Sequence, residues 1–158
     1  CFKANEIINF QRSMMIMAFK NPDEQTIQQY LKEAKNIAII GLSDNKERTS
    51  YQVSKVVQEH GYHIFPVNPK LAGGKILGET VYARLQDIKE PIDIVDIFRR
   101  SEFLTDVADD FLETDAKVFW AQLGIESEEA AQKLQDAGRN DIVMDRCIKI
   151  ELGKMDQN

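Results

Sequence analysis

The chain has 158 residues, the size of one ordinary domain, so it can bury a full hydrophobic core without disulfide or metal support. Hydrophobic residues make up 43% and charged residues 29%, which is typical of globular proteins and excludes disordered, collagen-like and membrane-spanning classes. The 26 acidic and 20 basic residues give a net charge of −6, which disfavours a broad nucleic-acid-binding face. Binding of a small phosphorylated ligand is still compatible with this charge, because a single site can be basic in an acidic protein.

The cysteine usage and the N-terminal region indicate a cytoplasmic protein. Cys1 and Cys147 cannot form a disulfide framework, so a reducing compartment fits. The apolar run Met14–Phe19 is too short to span a membrane, and no cleavage pattern follows it. We interpret residues 1–16 as a leader or extraneous segment and residues 17–158 as the domain.

The first half of the domain alternates helical and strand patterns. Asn21, followed by proline and early acids, predicts the N-cap of a first helix. The continuous apolar run 37–40 predicts a strand buried on both faces. Thr49 and Gln52 have the spacing of a capping box at the start of the next helix, and residues 62–67 form a second strand.

The second half repeats the same alternation. Apolar runs predict three further strands, at 92–98, 116–121 and 141–144. Helical spacing predicts a short helix over 81–88, an amphipathic helix capped by Ser101 and another capped by Ser127. Five apolar strands alternating with helices predict a single α/β domain: a Rossmann-like, doubly wound, five-stranded parallel sheet flanked by helices. In such sheets ligands bind at the carboxyl ends of the strands, where the strand order reverses.

The turn after the first strand is suited to an anion but lacks a dinucleotide fingerprint. It contains Gly41 and none of the later glycines of G-x-G-x-x-G. Backbone N–H groups at the next helix start would stabilise an anion, with Ser43, Arg48 and Ser50 as additional donors. The alternative is that these residues are helix caps and a solvated loop.

The second strand ends in V-N-P-K, where a nicotinamide-dinucleotide enzyme usually has an acidic residue for the ribose. The missing carboxylate weakens the NAD hypothesis. Lys70 and Lys75 instead suit a ligand with an extra phosphate on its ribose. Asn68 and Pro69 could equally be a plain strand-ending turn.

Three other strand ends contain residues suited to binding. Arg99 and Arg100 offer guanidinium groups for phosphate, or pair with nearby acids. Trp120 and Gln122 point to the same face of their strand, and Trp120 is more often a core residue than a ligand contact. Cys147, beside a basic residue, is either a reactive thiol or a buried inert one.

Six segments in fixed order carry a family resemblance: IAIIGLSDNKERTSY, GYHIFPVNPK, ILGETVY, DIVDIFRR, VFWAQLGI and VMDRCIKI. Over roughly Asn21 to Leu152 the chain resembles the stand-alone CoA-binding domain family, related to the CoA-binding domain of the succinyl-CoA ligase α subunit. The resemblance implies binding of coenzyme A, or an acyl-CoA, through its 3′-phosphorylated ADP portion. Carried over by position, it implies Gly41, Ser43, Arg48, Ser50 and Tyr51 at the diphosphate, Asn68, Pro69 and Lys70 at the nucleotide, and Phe98, Arg99 and Gln122 in the cleft wall.

The larger ligases add a phosphohistidine domain and a nucleotide-grasp domain, for which this chain has no room. The resemblance therefore implies a binding module without catalytic machinery of its own, and no metal motif is present in the sequence. Two alternatives stay open. One is a small NAD(P)-dependent oxidoreductase, and the other is a regulatory protein that senses thiol state through Cys147.

Overall fold

Helices and parallel strands alternate along residues 19–157, which are the residues that the computed structural model describes. The helices are α1 (Glu24–Glu33), α2 (Thr49–Glu59), α3 (Leu104–Leu112), α4 (Glu128–Asp136) and α5 (Ile148–Asp156). The strands are β1 (Asn36–Ile40), β2 (His63–Val67), β3 (Lys75–Ile76), β4 (Glu79–Thr80), β5 (Ile94–Ile97), β6 (Val118–Ala121) and β7 (Ile142–Val143).

Five of these strands form one sheet in the order β2-β1-β5-β6-β7, and each neighbouring pair is parallel. At the carboxyl end of β1, Ile40 lies between Val67 of β2 and Ile97 of β5. The chain leaves β1 toward β2 on one side and returns to β5 on the other, so the strand order reverses there. The predicted Rossmann-like, doubly wound sheet is confirmed.

The hydrophobic core has two layers, one on each face of the sheet. Ala38 and Ile40 pack with residues of α3 and α4, while Ile37 and Ile39 pack with residues of α1, α2 and α5. Successive residues of a strand point to opposite faces, and here both faces are covered. This two-sided burial is why the strands appear in the sequence as continuous apolar runs rather than as alternating ones.

Several local predictions were wrong. The expected helix over 81–88 is absent apart from one 3-10 turn at Leu85–Asp87, because Tyr82 instead pairs in parallel with Val67 at the end of β2. The helix α5 was not predicted. Asp23 rather than Asn21 caps α1, and its carboxylate accepts a hydrogen bond from the Thr26 N–H at 2.8 Å.

Ser127 does cap α4, since its side chain accepts from the Ala130 N–H at 3.1 Å. The predicted leader, residues 1–16, lies outside the described residues, as does part of the apolar run Met14–Phe19. Within residues 19–157, no helix has the length and apolar character needed to cross a membrane.

Candidate functional site

A cleft of about 760 Å³ opens where the strand order reverses, at the carboxyl ends of β1, β2 and β5. We call it the first cleft. Its lining comes from the ends of these strands, the start of α2, the segment after Tyr82 and the start of α3. The residues are Ile40, Gly41, Arg48, Val67, Asn68, Pro69, Lys70, Ala83, Arg84, Leu85, Phe98, Arg99, Arg100, Phe103, Val107 and Asp110.

Gly41 lets the backbone enter this narrow point of the sheet. Its N–H donates to the Val67 carbonyl at 2.9 Å, and its φ of +84° lies in the left-handed region that favours glycine. A Cβ at this position would lie 2.6 Å from the Phe98 carbonyl oxygen, a backbone atom that cannot turn aside. Glycine at this position therefore lets the turn after β1 pass close to the backbone at the end of β5.

Ser43 and Ser50 shape the loop after Gly41 rather than line the first cleft. The buried Ser50 hydroxyl accepts from the Ser43 N–H at 3.1 Å, and the Ser43 hydroxyl accepts from the Asn45 N–H at 3.0 Å. Tyr51 packs against the core under α2 and lines neither this cleft nor its neighbour. Of the residues expected at the diphosphate, Gly41 and Arg48 line the first cleft.

The start of α2 carries no side-chain cap. Arg48 is the N-cap residue, with extended backbone and no capping hydrogen bond from its side chain. Thr49 is already helical, so the predicted capping box is wrong. The first N–H groups of a helix need acceptors, and an anion can supply them when no side chain does.

The end of β2 contributes Asn68, Pro69 and Lys70 to the first cleft. The Asn68 amide donates to the Leu42 carbonyl at 3.0 Å and accepts from the Lys70 N–H at 3.0 Å. It thereby ties the β2 turn to the loop after β1. Lys75, considered beside Lys70 in the sequence, begins β3 and is not part of the lining.

The first cleft is strongly cationic although the protein is acidic. Five of its lining side chains are Lys or Arg and one is a carboxylate: Arg48, Lys70, Arg84, Arg99 and Arg100, with Asp110. Arg84 and Arg100 have acidic neighbours, Glu113 at 3.7 Å and Glu102 at 3.3 Å. Within residues 19–157, the other three cations make no salt bridge.

Arg99 and Arg100 are held beside one aromatic ring. Their guanidinium carbons lie 4.4 Å and 5.5 Å from the centroid of Phe103. The ring face attracts each cation, but it also brings two like charges together. Glu102, 3.3 Å from Arg100, offsets part of that repulsion, and a bound anion would offset more of it.

A second cleft of about 630 Å³ lies on the other side of the segment Phe98–Arg100, which lines both. Its remaining lining comes from the start of α2, the turn after β6 and the start of α5. The residues are Thr49, Ser101, Gln122, Leu123, Gly124, Ile125 and Cys147. Phe98 and Arg99 thus line both clefts, whereas Gln122, which was expected in the same wall, lines the second.

Gln122 is buried, and its amide is used inside the protein. It donates to the Asp96 carboxyl and accepts from the Ile148 N–H, which is 3.3 Å away at the start of α5. Burial raises the pKa of Asp96 to about 8, because removal from water disfavours the charged carboxylate. Trp120 is a core residue, as expected, and its indole N–H donates to the Arg146 carbonyl at 2.9 Å.

Sequence reasoning missed the part of the first cleft formed by Ala83, Arg84 and Leu85. The parallel bridge between Val67 and Tyr82 carries this segment to the end of β2. No local pattern shows this, because the two partners are separated by a glycine-rich hairpin. The signal that was present, apolar residues at helical spacing, favoured a helix instead.

Comparison with known proteins finds relatives over most of the chain. A family model described as "CoA binding domain" matches residues 35–153. The uncharacterized protein YneT of Bacillus subtilis is 50% identical over 131 residues, covering 83% of this chain and 95% of YneT. A solved structure from Thermus thermophilus has a TM-score of 0.81 at 35% identity, covering 85% of this chain and 99% of that one.

An acetate–CoA ligase (ADP-forming) of Methanocaldococcus jannaschii is 31% identical over a shorter stretch of 65 residues. The match covers 41% of this chain and 9% of the ligase. The similarity therefore concerns a small part of that enzyme.

Proposed function

Since this chain belongs to the CoA binding domain family, we propose that it binds coenzyme A or an acyl-CoA in the first cleft, as a module without catalytic machinery of its own. The observation that carries this proposal is the concentration of five cationic side chains in the cleft that Gly41 lines, at the switch point of the sheet. A polyphosphate nucleotide has the matching charge, and this is where parallel sheets bind nucleotides.

The diphosphate would lie between Gly41 and the start of α2. Arg48 lines this part of the cleft, and the uncapped first turn of α2 offers N–H groups to an anion. Arg99 would contact the phosphates from the opposite wall, because its guanidinium makes no salt bridge within residues 19–157. Ser43 and Ser50 would act indirectly, by holding the loop in shape.

Lys70 would recognise the 3′-phosphate that distinguishes coenzyme A from dephospho-CoA and NAD. It lies at the end of β2, next to the turn formed by Asn68 and Pro69 on the nucleotide side of the cleft. The same position lacks the acidic residue that NAD enzymes use to bind the ribose. This charge pattern supports coenzyme A over the nicotinamide oxidoreductase hypothesis.

Calorimetric titration with CoA, dephospho-CoA, NAD and NADP tests the proposal. We expect CoA to bind about tenfold more tightly than dephospho-CoA, the scale of one charge-assisted contact. Lys70→Met should abolish that preference. Lys75→Met is the matched control, a nearby lysine outside the lining, and should retain it.

Each unfavourable outcome has a distinct meaning. Equal affinity for CoA and dephospho-CoA would refute the role of Lys70 alone. No binding of CoA at millimolar concentration would refute the proposed function. Tighter binding of NAD or NADP than of CoA would favour the oxidoreductase instead.

A second candidate function, thiol sensing, rests on the position of Cys147. This free, half-buried thiol lines the second cleft, which shares the wall Phe98–Arg100 with the first. Its thiolate would attack one sulfur of CoA disulfide, forming a mixed disulfide and releasing one CoA thiolate. Peptide mass spectrometry after incubation with CoA disulfide should then find CoA on Cys147, and an unmodified Cys147 would contradict this function.

A further inference from the structure

We infer that the second cleft receives the apolar acyl group of an acyl-CoA, an inference that rests on the proposed function. The two clefts share the segment Phe98–Arg100, which lines both. A ligand whose phosphates lie in the first cleft can therefore extend its far end into the second. In an acyl-CoA, that far end is the thioester and its acyl chain.

The wall of the second cleft opposite Arg99 and Arg100 contains no charged residue. It consists of Gln122, Leu123, Gly124, Ile125 and Cys147, together with two hydroxyl residues at its edges. The Gln122 amide bonds to Asp96 and to the Ile148 N–H, both inside the protein. The most prominent polar group of this wall is thus already used, and the wall offers mainly hydrocarbon and a thiol.

The exposed side chain of Leu123 favours an apolar ligand in this cleft. Its exposed fraction is 63%, and within residues 19–157 the one other comparably exposed large hydrophobic side chain is Ile150, at 53%. Isolated exposed hydrophobic residues are common, but these two line one groove. A smaller groove of about 280 Å³, which we call the outer groove, contains Leu123, Cys147 and Ile150.

The turn that displays Leu123 is braced by several bonds. The Gly124 N–H donates to the Asp145 carboxylate at 2.7 Å, and the Asp145 N–H donates to the Ile125 carbonyl at 3.1 Å. Asp145 itself has a φ of +59°, a conformation that is costly for a residue other than glycine. These bonds hold the turn in one conformation, so the fold itself keeps Leu123 exposed.

The outer groove would take the remote part of a longer acyl chain. Its charged members are Asp145, Arg146, Glu151 and Lys154. Glu151 pairs with Arg146 at 3.6 Å and with Lys154 at 3.2 Å, and the Asp145 carboxylate accepts from the Gly124 N–H, so each of these charges already has a partner in the protein. Leu123 lies where the two cavities meet, and Ile150 lies beyond it. Two exposed side chains are too small an area for a stable protein interface, which supports an acyl chain as the occupant.

Calorimetry with CoA, acetyl-CoA, butyryl-CoA and octanoyl-CoA tests this inference. Each fully buried methylene group tightens binding about fourfold, and a partly covered one less. We therefore expect affinity to rise with chain length, with octanoyl-CoA binding at least about tenfold more tightly than CoA.

Leu123→Ser should remove most of the gain for both butyryl-CoA and octanoyl-CoA, while leaving the affinity for CoA within about twofold. Ile150→Ser is the matched variant farther along the path and should weaken octanoyl-CoA alone. Both substitutions are at exposed positions, and thermal unfolding checks that the fold is intact.

The inference is overturned if acyl-CoAs bind no more tightly than CoA, or if Leu123→Ser weakens CoA and its thioesters equally. It is also overturned if only the Ile150 substitution reduces the gain. In each of these cases CoA still binds and the proposed function stands. Failure of all four ligands, CoA included, is instead a failure of the proposed function itself.

Discussion

The carboxyl group of Asp96 makes this protein's stability depend on pH in an unusual direction. Asp96 lies in β5 with no solvent exposure, and it accepts one hydrogen bond from Gln122. Its second oxygen has no hydrogen-bond partner within residues 19–157. Burial without a compensating charge raises the pKa of Asp96 from its ordinary value of 3.8 to about 8, so the group is neutral in the folded protein at pH 7.

The sign and size of the effect follow from proton linkage. Between pH 4 and pH 8 the unfolded chain has lost this proton and the folded protein has kept it. The free energy of unfolding therefore falls as pH rises, by about 1.4 kcal/mol per pH unit. Over the whole interval the loss amounts to several kcal/mol, and it is complete above pH 8.

Asp96→Asn removes this dependence while keeping an acceptor for Gln122. We expect the variant and the parent to have similar stability at pH 4, with the variant gaining about 1.4 kcal/mol relative to the parent for each pH unit up to pH 8. Urea unfolding, monitored by the fluorescence of the buried Trp120, measures the free energy of unfolding of the parent and the variant at each pH. Asp115→Asn, at an exposed carboxyl, is the control. A stability difference that does not change with pH would refute the linkage argument.

Two further predictions concern the backbone at Gly41 and an ion pair between helices. Gly138 also has a positive φ but has open space where a Cβ would stand, so Gly138→Ala should cost about 1 kcal/mol of unfolding free energy. Gly41→Ala adds a clash between the new Cβ and the Phe98 carbonyl oxygen, so it should lower the free energy of unfolding by about 1–3 kcal/mol more than Gly138→Ala does, as measured by urea unfolding. Equal losses for the two variants would contradict the close contact at Gly41. The His60 Nε2 atom lies 2.9 Å from a carboxylate oxygen of Asp156. This hydrogen bond favours the protonated imidazole and raises the pKa of His60 above its ordinary value of 6.5. The stabilisation is present below pH 6.5, where His60 is protonated in both states, and it is lost as the pH rises through the pKa of the folded protein. Asp156→Asn should therefore lower the free energy of unfolding at pH 6 by less than about 1 kcal/mol. At pH 9 the same substitution should leave thermal stability unchanged.

The sequence by itself determined the fold class and the rough location of the candidate site. Runs such as 37–40 are apolar at every position because helices cover both faces of the sheet, so these strands could be recognised without any partner. Glycine after a buried strand and cations after its neighbours indicated a site at the carboxyl ends. Gly41, Lys70 and Arg99 do line one cleft.

Only the tertiary structure decided which residues meet there. Arg84 reaches the first cleft through the bridge between Val67 and Tyr82, Ser50 turns its hydroxyl to the Ser43 N–H, and the Gln122 amide faces the core. Residue periodicity reports which face of an element is buried, and that is a local property. The partner of a side chain depends on segments far away in the sequence, and no local pattern records where those segments pack.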